Sequence, residues 1–207
     1  MLGVYGGTFD PVHFGHLRTA LEVKELFELD EIRLIPCFIP AHRDEPSAAA
    51  VMRVKMLELA LAGRSGMTLD TREIDRGGPS YMVDTLASLR ETMVAEMPLL
   101  LFIGGDAFEH LCQWHRWHAL FDYAHVVVMT RPGAGHSELS EVLKNRYTDS
   151  VQKLKDTACG SLFFQRVTLL DISATAIRQM VAEGRSPGFL LPDAVISYID
   201  QNQLYRR

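Results

Sequence analysis

Apolar residues along this chain fall into short unbroken runs, separated by stretches in which they recur every three or four positions. The runs LGVYGG (Leu2 to Gly7), EIRLIPCFIP (Glu31 to Pro40), PLLLFIGGD (Pro98 to Asp106) and HVVVMTRPG (His125 to Gly133) have strand length and end in glycine, proline or a charge. MTLDTREI, from Met67 to Ile74, alternates with β-branched residues and predicts a further strand. LFFQRVTLLDISATAIRQMVAEG predicts a last strand feeding a helix. Between the strands, HLRTALEVKELFEL places Leu17, Ala20, Leu21 and Phe27 on one helical face, and VMRVKMLELALAG is a helix that stops at Gly63. SYMVDTLASLRETMVAE is predicted as a helix with Ser80 as its N-cap. The stretch from Pro132 to Gly160 reads as a helical excursion or a loop.

Strand followed by helix, repeated with continuously apolar strands, predicts an α/β fold with a parallel sheet covered on both faces. In such sheets ligands bind beyond the carboxyl ends of the strands, near a reversal of strand order. Gly6, Gly7, His13, His16, His42, Gly104, Asp106, Arg131, Ser173 and Arg178 all follow predicted strands, so the chemistry is expected at that one edge. No linker, repeat or low-complexity tract divides residues 1–207, which predicts a single domain.

Composition narrows the partners. With 207 residues, 47% of them hydrophobic, the chain can bury one sizeable core. A formal charge of −5 leaves no basic excess for a nucleic-acid backbone, so a small-molecule partner is expected. Cys37, Cys112 and Cys159 form no CxxC pair, which argues for a reducing compartment. Without a basic leader or a run long enough to span a bilayer, the protein is expected to be cytoplasmic and free of the membrane.

The segment GVYGGTFDPVHFGH carries the first candidate chemistry. Gly6 and Gly7 would let the backbone turn and approach a ligand closely, and a helix start after them suits phosphate. Neither GxGxxG nor the Walker pattern is present, so another device must hold the phosphate. His13 and His16, three apart at that helix start, can donate to phosphate oxygens; on spacing alone they also suit ordinary helix-start residues or metal ligands.

GTFDPVHFGH resembles the HxGH signature of the nucleotidylyltransferase superfamily, and ISATAIR (Ile172 to Arg178) resembles its second signature, with Ala174 where serine is usual. IPAHR, PSYMVDTL, FIGGD, QWHRW, TRPG and LLPDAVISYIDQNQLYR extend the resemblance over essentially the whole chain, toward the bacterial nicotinate-nucleotide adenylyltransferases. That resemblance implies a Rossmann-like, doubly wound sheet with a small helical C-terminal part. It also implies adenylyl transfer from ATP, accompanied by Mg²⁺, to nicotinate mononucleotide. His13, His16, His42 and Arg178 are the catalytic residues it points to. For ATP it implies Gly6, Gly7, Thr8, Phe9, His13, His16, Gly104, Asp106, Ser173, Thr175 and Arg178. For the mononucleotide it implies Thr8, His42, Arg43, Tyr81, Met82, Trp114 and Arg131, with Met82 standing where family members often carry threonine.

HLCQWHRWH, from His110 to His118, fits no zinc spacing and is expected to be a decorated helix surface, so no metal site is assigned there. Two alternatives stand beside the main expectation: another HxGH nucleotidylyltransferase, and a non-catalytic adenine-nucleotide sensor. A homo-oligomer is left open.

Overall fold

The computed structural model describes residues 1–41, 45–130 and 139–206. Eight strands are present: β1 (Leu2–Gly7), β2 (Glu31–Pro36), β3 (Ile39–Pro40), β4 (Met67–Leu69), β5 (Pro79–Ser80), β6 (Leu99–Gly104), β7 (His125–Thr130) and β8 (Leu162–Arg166). Six form one sheet in the order β4-β2-β1-β6-β7-β8, and every pairing in it is parallel. The order reverses between β1 and β6, so the switch point lies beyond Gly7 and Gly104. The described helices are α1 (Phe14–Leu26), α2 (Ala50–Leu61), α3 (Arg72–Arg76), α4 (Met82–Arg90), α5 (Gly105–Glu109), α6 (Leu120–Tyr123), α7 (Glu141–Lys144), α8 (Val151–Asp156), α9 (Ala174–Ala182) and α10 (Asp193–Gln201).

Strand alternation divides the core in two. On β6 and β7, Leu100, Phe102, Val127 and Met129 point to the layer that receives Ala20 and Val23 of α1, Met56 and Leu57 of α2, Ile177 of α9 and Val195 of α10. Leu99, Leu101, Ile103, Val126 and Val128 point to the opposite layer with Val83, Leu86 and Leu89 of α4. Both faces are apolar because both are covered, which is why these strands read as unbroken runs. Each fully buried Leu or Val in them contributes about 1.5–3 kcal/mol.

Several expected elements are redrawn. MTLDTREI is a strand only as far as Leu69. Asp70 accepts hydrogen bonds from the backbone and guanidinium of Arg72, and α3 begins there instead. EIRLIPCFIP is two strands, since β3 leaves the main sheet to pair with β5 in a two-residue ribbon. Ser80 is therefore a strand residue and not a cap. Its hydroxyl accepts from the Phe38 N–H at 2.8 Å, Tyr81 takes the N-cap position of α4, and the helix ends at Arg90. HLCQWHRWH is not one helix either: 3₁₀ turns at Leu111–Gln113 and Trp117–Ala119 are separated by Arg116 in the left-handed region (φ 50°). Among the described residues no helix is long and apolar enough to cross a membrane.

Candidate active site

The sharp turn after β1 is not made by the two glycines. Gly6 and Gly7 are extended strand residues, and the chain reverses at Phe9 (φ 50°) and at a cis Asp10–Pro11 bond. What the glycines supply is room. A side chain at Gly6 would meet the Met82 methyl at 2.5 Å, and one at Gly7 would meet the Phe9 ring at 2.9 Å. The Phe9 ring is itself in the core, only 1% exposed, so of this expected ATP-binding residue only the backbone can face a ligand.

His13 is the N-cap residue of α1 and His16 lies in its first turn. Their rings stack with centroids 3.8 Å apart, and His16 is also wedged against Phe9 at 5.0 Å and Tyr5 at 6.4 Å. The His13 N–H donates to Nδ1 of His16 at 3.3 Å, which leaves Nε2 of His16 to carry the proton in the neutral ring. The residue between them explains itself: a Cβ on Gly15 would lie 2.9 Å from Cε1 and Nδ1 of His13, so the His13 ring occupies the space that a side chain there would need. Buried Nδ1 of His13 has no hydrogen-bond partner among the described residues. Burial lowers the His13 pKa to about 4 and, together with the neighbouring His13, holds His16 well below the ordinary imidazole value. Two neutral, stacked imidazoles, one with an unsatisfied buried nitrogen, are what a polar guest would find.

The second signature meets the first. Ser173 caps α9, its hydroxyl accepting from the Ala176 N–H at 3.5 Å, and Ile172 lies 3.7 Å from where a Gly15 side chain would start. Arg178 donates to the Asp10 backbone carbonyl at 2.7 Å and to Thr175 Oγ1 at 3.3 Å. Imidazoles from α1 and a guanidinium from α9 thus converge at the switch point. One helix N–H there is already engaged, since Phe14 donates to the Leu190 carbonyl at 2.9 Å.

Across the switch, Asp106 sits in the first turn of α5 rather than capping it, Gly104 being the N-cap; a Gly104 side chain would collide with Asp106 Oδ1 at 2.6 Å. Burial and the Asp106 carboxylate push the Tyr5 phenol up to about 12. Tyr81 packs against His115 with ring centroids 4.4 Å apart and planes tilted by 35°, which brings the neighbour of Trp114 to the head of α4. Trp114 is partly buried against the α4 layer, and Arg116 approaches Asp84 at 3.9 Å. Thr8 lies between, its carbonyl accepting from Arg53 at 2.8 Å. His42, Arg43 and Arg131 lie outside the described residues.

The chain as a whole has close relatives. Residues 4–180 match the cytidylyltransferase-like family. The chain is 49% identical to a probable nicotinate-nucleotide adenylyltransferase of Methylococcus capsulatus, covering 100% of both chains. It is 47% identical to one of Cellvibrio japonicus, covering 99% of this chain and 98% of the other. The chain belongs to the cytidylyltransferase-like family, in its nicotinate-nucleotide adenylyltransferase branch. Two solved structures of Plasmodium falciparum nicotinic acid mononucleotide adenylyltransferase, one complexed with APC and one with NaAD, share its fold with TM-scores of 0.69 and 0.70 at 16% identity. They cover 99% of this chain and 96% of theirs.

Three residues at this adenylyltransferase site were given no role by the sequence. Asp10, 4% exposed, accepts from the Ser47 and Ala48 N–H groups at 2.7 and 3.2 Å and from the Tyr205 hydroxyl at 2.6 Å. Arg53, 1% exposed, donates to three backbone carbonyls, Thr8, Phe38 and Ala48, at 2.8, 3.1 and 3.2 Å. Its signal was present: with Met56, Leu57, Ala60 and Leu61 it completes the buried stripe of α2, and a cation in a core stripe needs acceptors. Tyr205 carried no such signal, because nothing local ties a tail residue to the first turn.

Proposed function

We propose that this chain transfers the adenylyl group of ATP to nicotinate mononucleotide, giving deamido-NAD and pyrophosphate in NAD biosynthesis. The observation that carries it is the convergence of His13, His16 and Arg178 beyond β1 and β6, in a chain matched end to end by relatives of that name. A phosphate oxygen of the mononucleotide attacks the α-phosphorus of ATP, and the bond from that phosphorus to the oxygen bridging to the β-phosphate breaks. The electron pair leaves on pyrophosphate. Two anions must be aligned while negative charge grows on the departing group, so orientation and charge compensation do most of the catalysis.

His13 and His16 offer ring N–H groups to the triphosphate, His16 nearest the α-phosphate, and the polyanion favours their protonation against the pull of burial. Ser173, Thr175 and Arg178 hold the β- and γ-phosphates with a hydroxyl, backbone groups and a guanidinium. Asp106 and Gly104 serve the nucleoside of ATP. Tyr81, Met82 and Trp114 receive the pyridine ring and its carboxylate, with Thr8 between the two substrates. Mg²⁺ enters as part of the ATP substrate.

The test is pyrophosphate release from ATP with a panel of acceptors: nicotinate mononucleotide, nicotinamide mononucleotide, phosphopantetheine and none. Release is expected with the first above all others. Preference for phosphopantetheine would move the chain to another branch, and binding of ATP without release for any acceptor would make it a sensor.

A further inference from the structure

Arg178 stands beside a buried carboxylate and yet does not use it. Its nearest approach to Asp10 Oδ2 is 3.9 Å, and the hydrogen bond it makes to that residue, at 2.7 Å, goes to the backbone carbonyl. A guanidinium next to a carboxylate ordinarily forms a short, two-pronged pair. Here three of the roughly four lone-pair sites of the carboxylate are occupied, which fixes its orientation. Oδ2 accepts from the Ser47 N–H at 2.7 Å, while Oδ1 accepts from the Ala48 N–H at 3.2 Å and from the Tyr205 hydroxyl at 2.6 Å. The Arg178 side chain remains 28% exposed, its second guanidinium nitrogen donating to Thr175 Oγ1 at 3.3 Å.

The Tyr205 phenol is held there deliberately by the chain. Gln203 and Tyr205 both adopt left-handed backbone conformations (φ 53° and 61°), which non-glycine residues rarely take, and Leu204 between them is buried in the core layer of α10. Burial and the Asp10 charge hold the phenol well above its usual range, so it stays a donor. We propose that Tyr205 is a positioning residue of the triphosphate site: by holding Oδ1 it fixes the Asp10 carboxylate in an orientation that keeps Oδ2 3.9 Å from Arg178, and so leaves that guanidinium for ATP. The inference rests on the reading of Arg178 as a ligand of the triphosphate.

Tyr205→Phe removes one oxygen and keeps the ring, so the tail packs as before. With Oδ1 short of a donor, Arg178 turns inward. ATP binding to the full chain, titrated calorimetrically after circular dichroism has verified native helix content, is expected to weaken about tenfold, the scale of one charge-assisted hydrogen bond. KM for nicotinate mononucleotide stays unchanged. Arg178→Ala is expected to weaken ATP binding at least as much, and the Tyr205→Phe/Arg178→Ala double variant is expected to bind no worse than Arg178→Ala alone, because the phenol acts only through the guanidinium. Tyr205→Phe with parental ATP affinity, or a double variant whose losses multiply, overturns the proposal while Arg178 keeps its role. Arg178→Ala with parental affinity removes the reading of Arg178, and the proposal with it.

Discussion

Arg53→Met tests whether the buried guanidinium is what binds the active-site loops together. The substitution keeps an unbranched side chain of similar length but strands the carbonyls of Thr8, Phe38 and Ala48, which now receive hydrogen bonds of 2.8, 3.1 and 3.2 Å. Removing one partner of a buried charged network costs about 3–5 kcal/mol, because the acceptors lose their donors without regaining water. Better apolar packing of methionine in the α2 stripe offsets on the order of 1 kcal/mol of this, leaving a net loss of about 2–4 kcal/mol. At this chain length each kcal/mol moves the thermal midpoint by about 2–4 °C, so a drop of roughly 10 °C is expected. Arg53→Lys reaches one of the three acceptors and should fall between. Urea unfolding gives the free energy directly, and steady-state kinetics should show KM rising for both substrates, since Thr8 and the flanks of the segment between Phe38 and Ala48 lose a common tether. A methionine variant as stable as the parent would refute the claim that the three carbonyls depend on this cation.

If His13 acts as proposed, Gly15→Ala should lower kcat by about tenfold or more with little change in unfolding free energy, because the new methyl collides with the His13 ring at 2.9 Å; normal turnover would show that the ring position is not critical. Acid should destabilise the protein early: the folded state keeps His13, His16 and His125 neutral, so below about pH 6.5 the unfolded chain binds protons that the native state does not. For His13, whose pKa falls to about 4, the loss between pH 7 and 5 is on the order of 1–2 kcal/mol, with His16 and His125 adding in the same direction; it is read from urea midpoints, and a flat profile over that window would contradict it. Saturating ATP, which favours the charged rings, should blunt this fall. Nicotinate mononucleotide should exceed the nicotinamide form in kcat/KM by at least about tenfold, since a carboxylate gains from the backbone N–H groups at the start of α4 and an amide does not; a ratio near one would dismiss that end of the helix as the carboxylate site.

The sequence disclosed the elements that a two-sided sheet makes unavoidable. β6 and the Val126–Met129 centre of β7 are apolar without a break because both faces are covered, and both signatures fall at strand ends because that is where loops leave the sheet. It failed where a tertiary partner overrode a local pattern. MTLDTREI alternates like a strand, yet Asp70 captures Arg72 and turns the chain into α3. Ser80 has the chemistry of a cap but is drawn into a ribbon by the Phe38 N–H. In the first signature the two histidines were conspicuous, whereas Asp10, between them and the glycines, acquires its meaning only from Ser47, Ala48 and Tyr205, residues that lie far along the chain. Gly6 and Gly7 suggested a bend on composition, but their use is set by Met82 and Phe9, whose approach no local window reveals.

The contact of the Met82 methyl with Gly6 bears on how this scaffold could be diversified. In the proposed reading Met82 faces the acceptor and Gly6 lies in the strand before the triphosphate loop, and a Cβ at Gly6 would come within 2.5 Å of the Met82 methyl. A side chain at 6 would have to displace the flexible end of Met82, so a change at either position is felt first at the other. Libraries that randomise position 82 alone should therefore be dominated by small or flexible side chains. Productive changes of acceptor will be epistatic with the strand, and their fitness landscape will be rugged on this side of the sheet and smoother around Trp114.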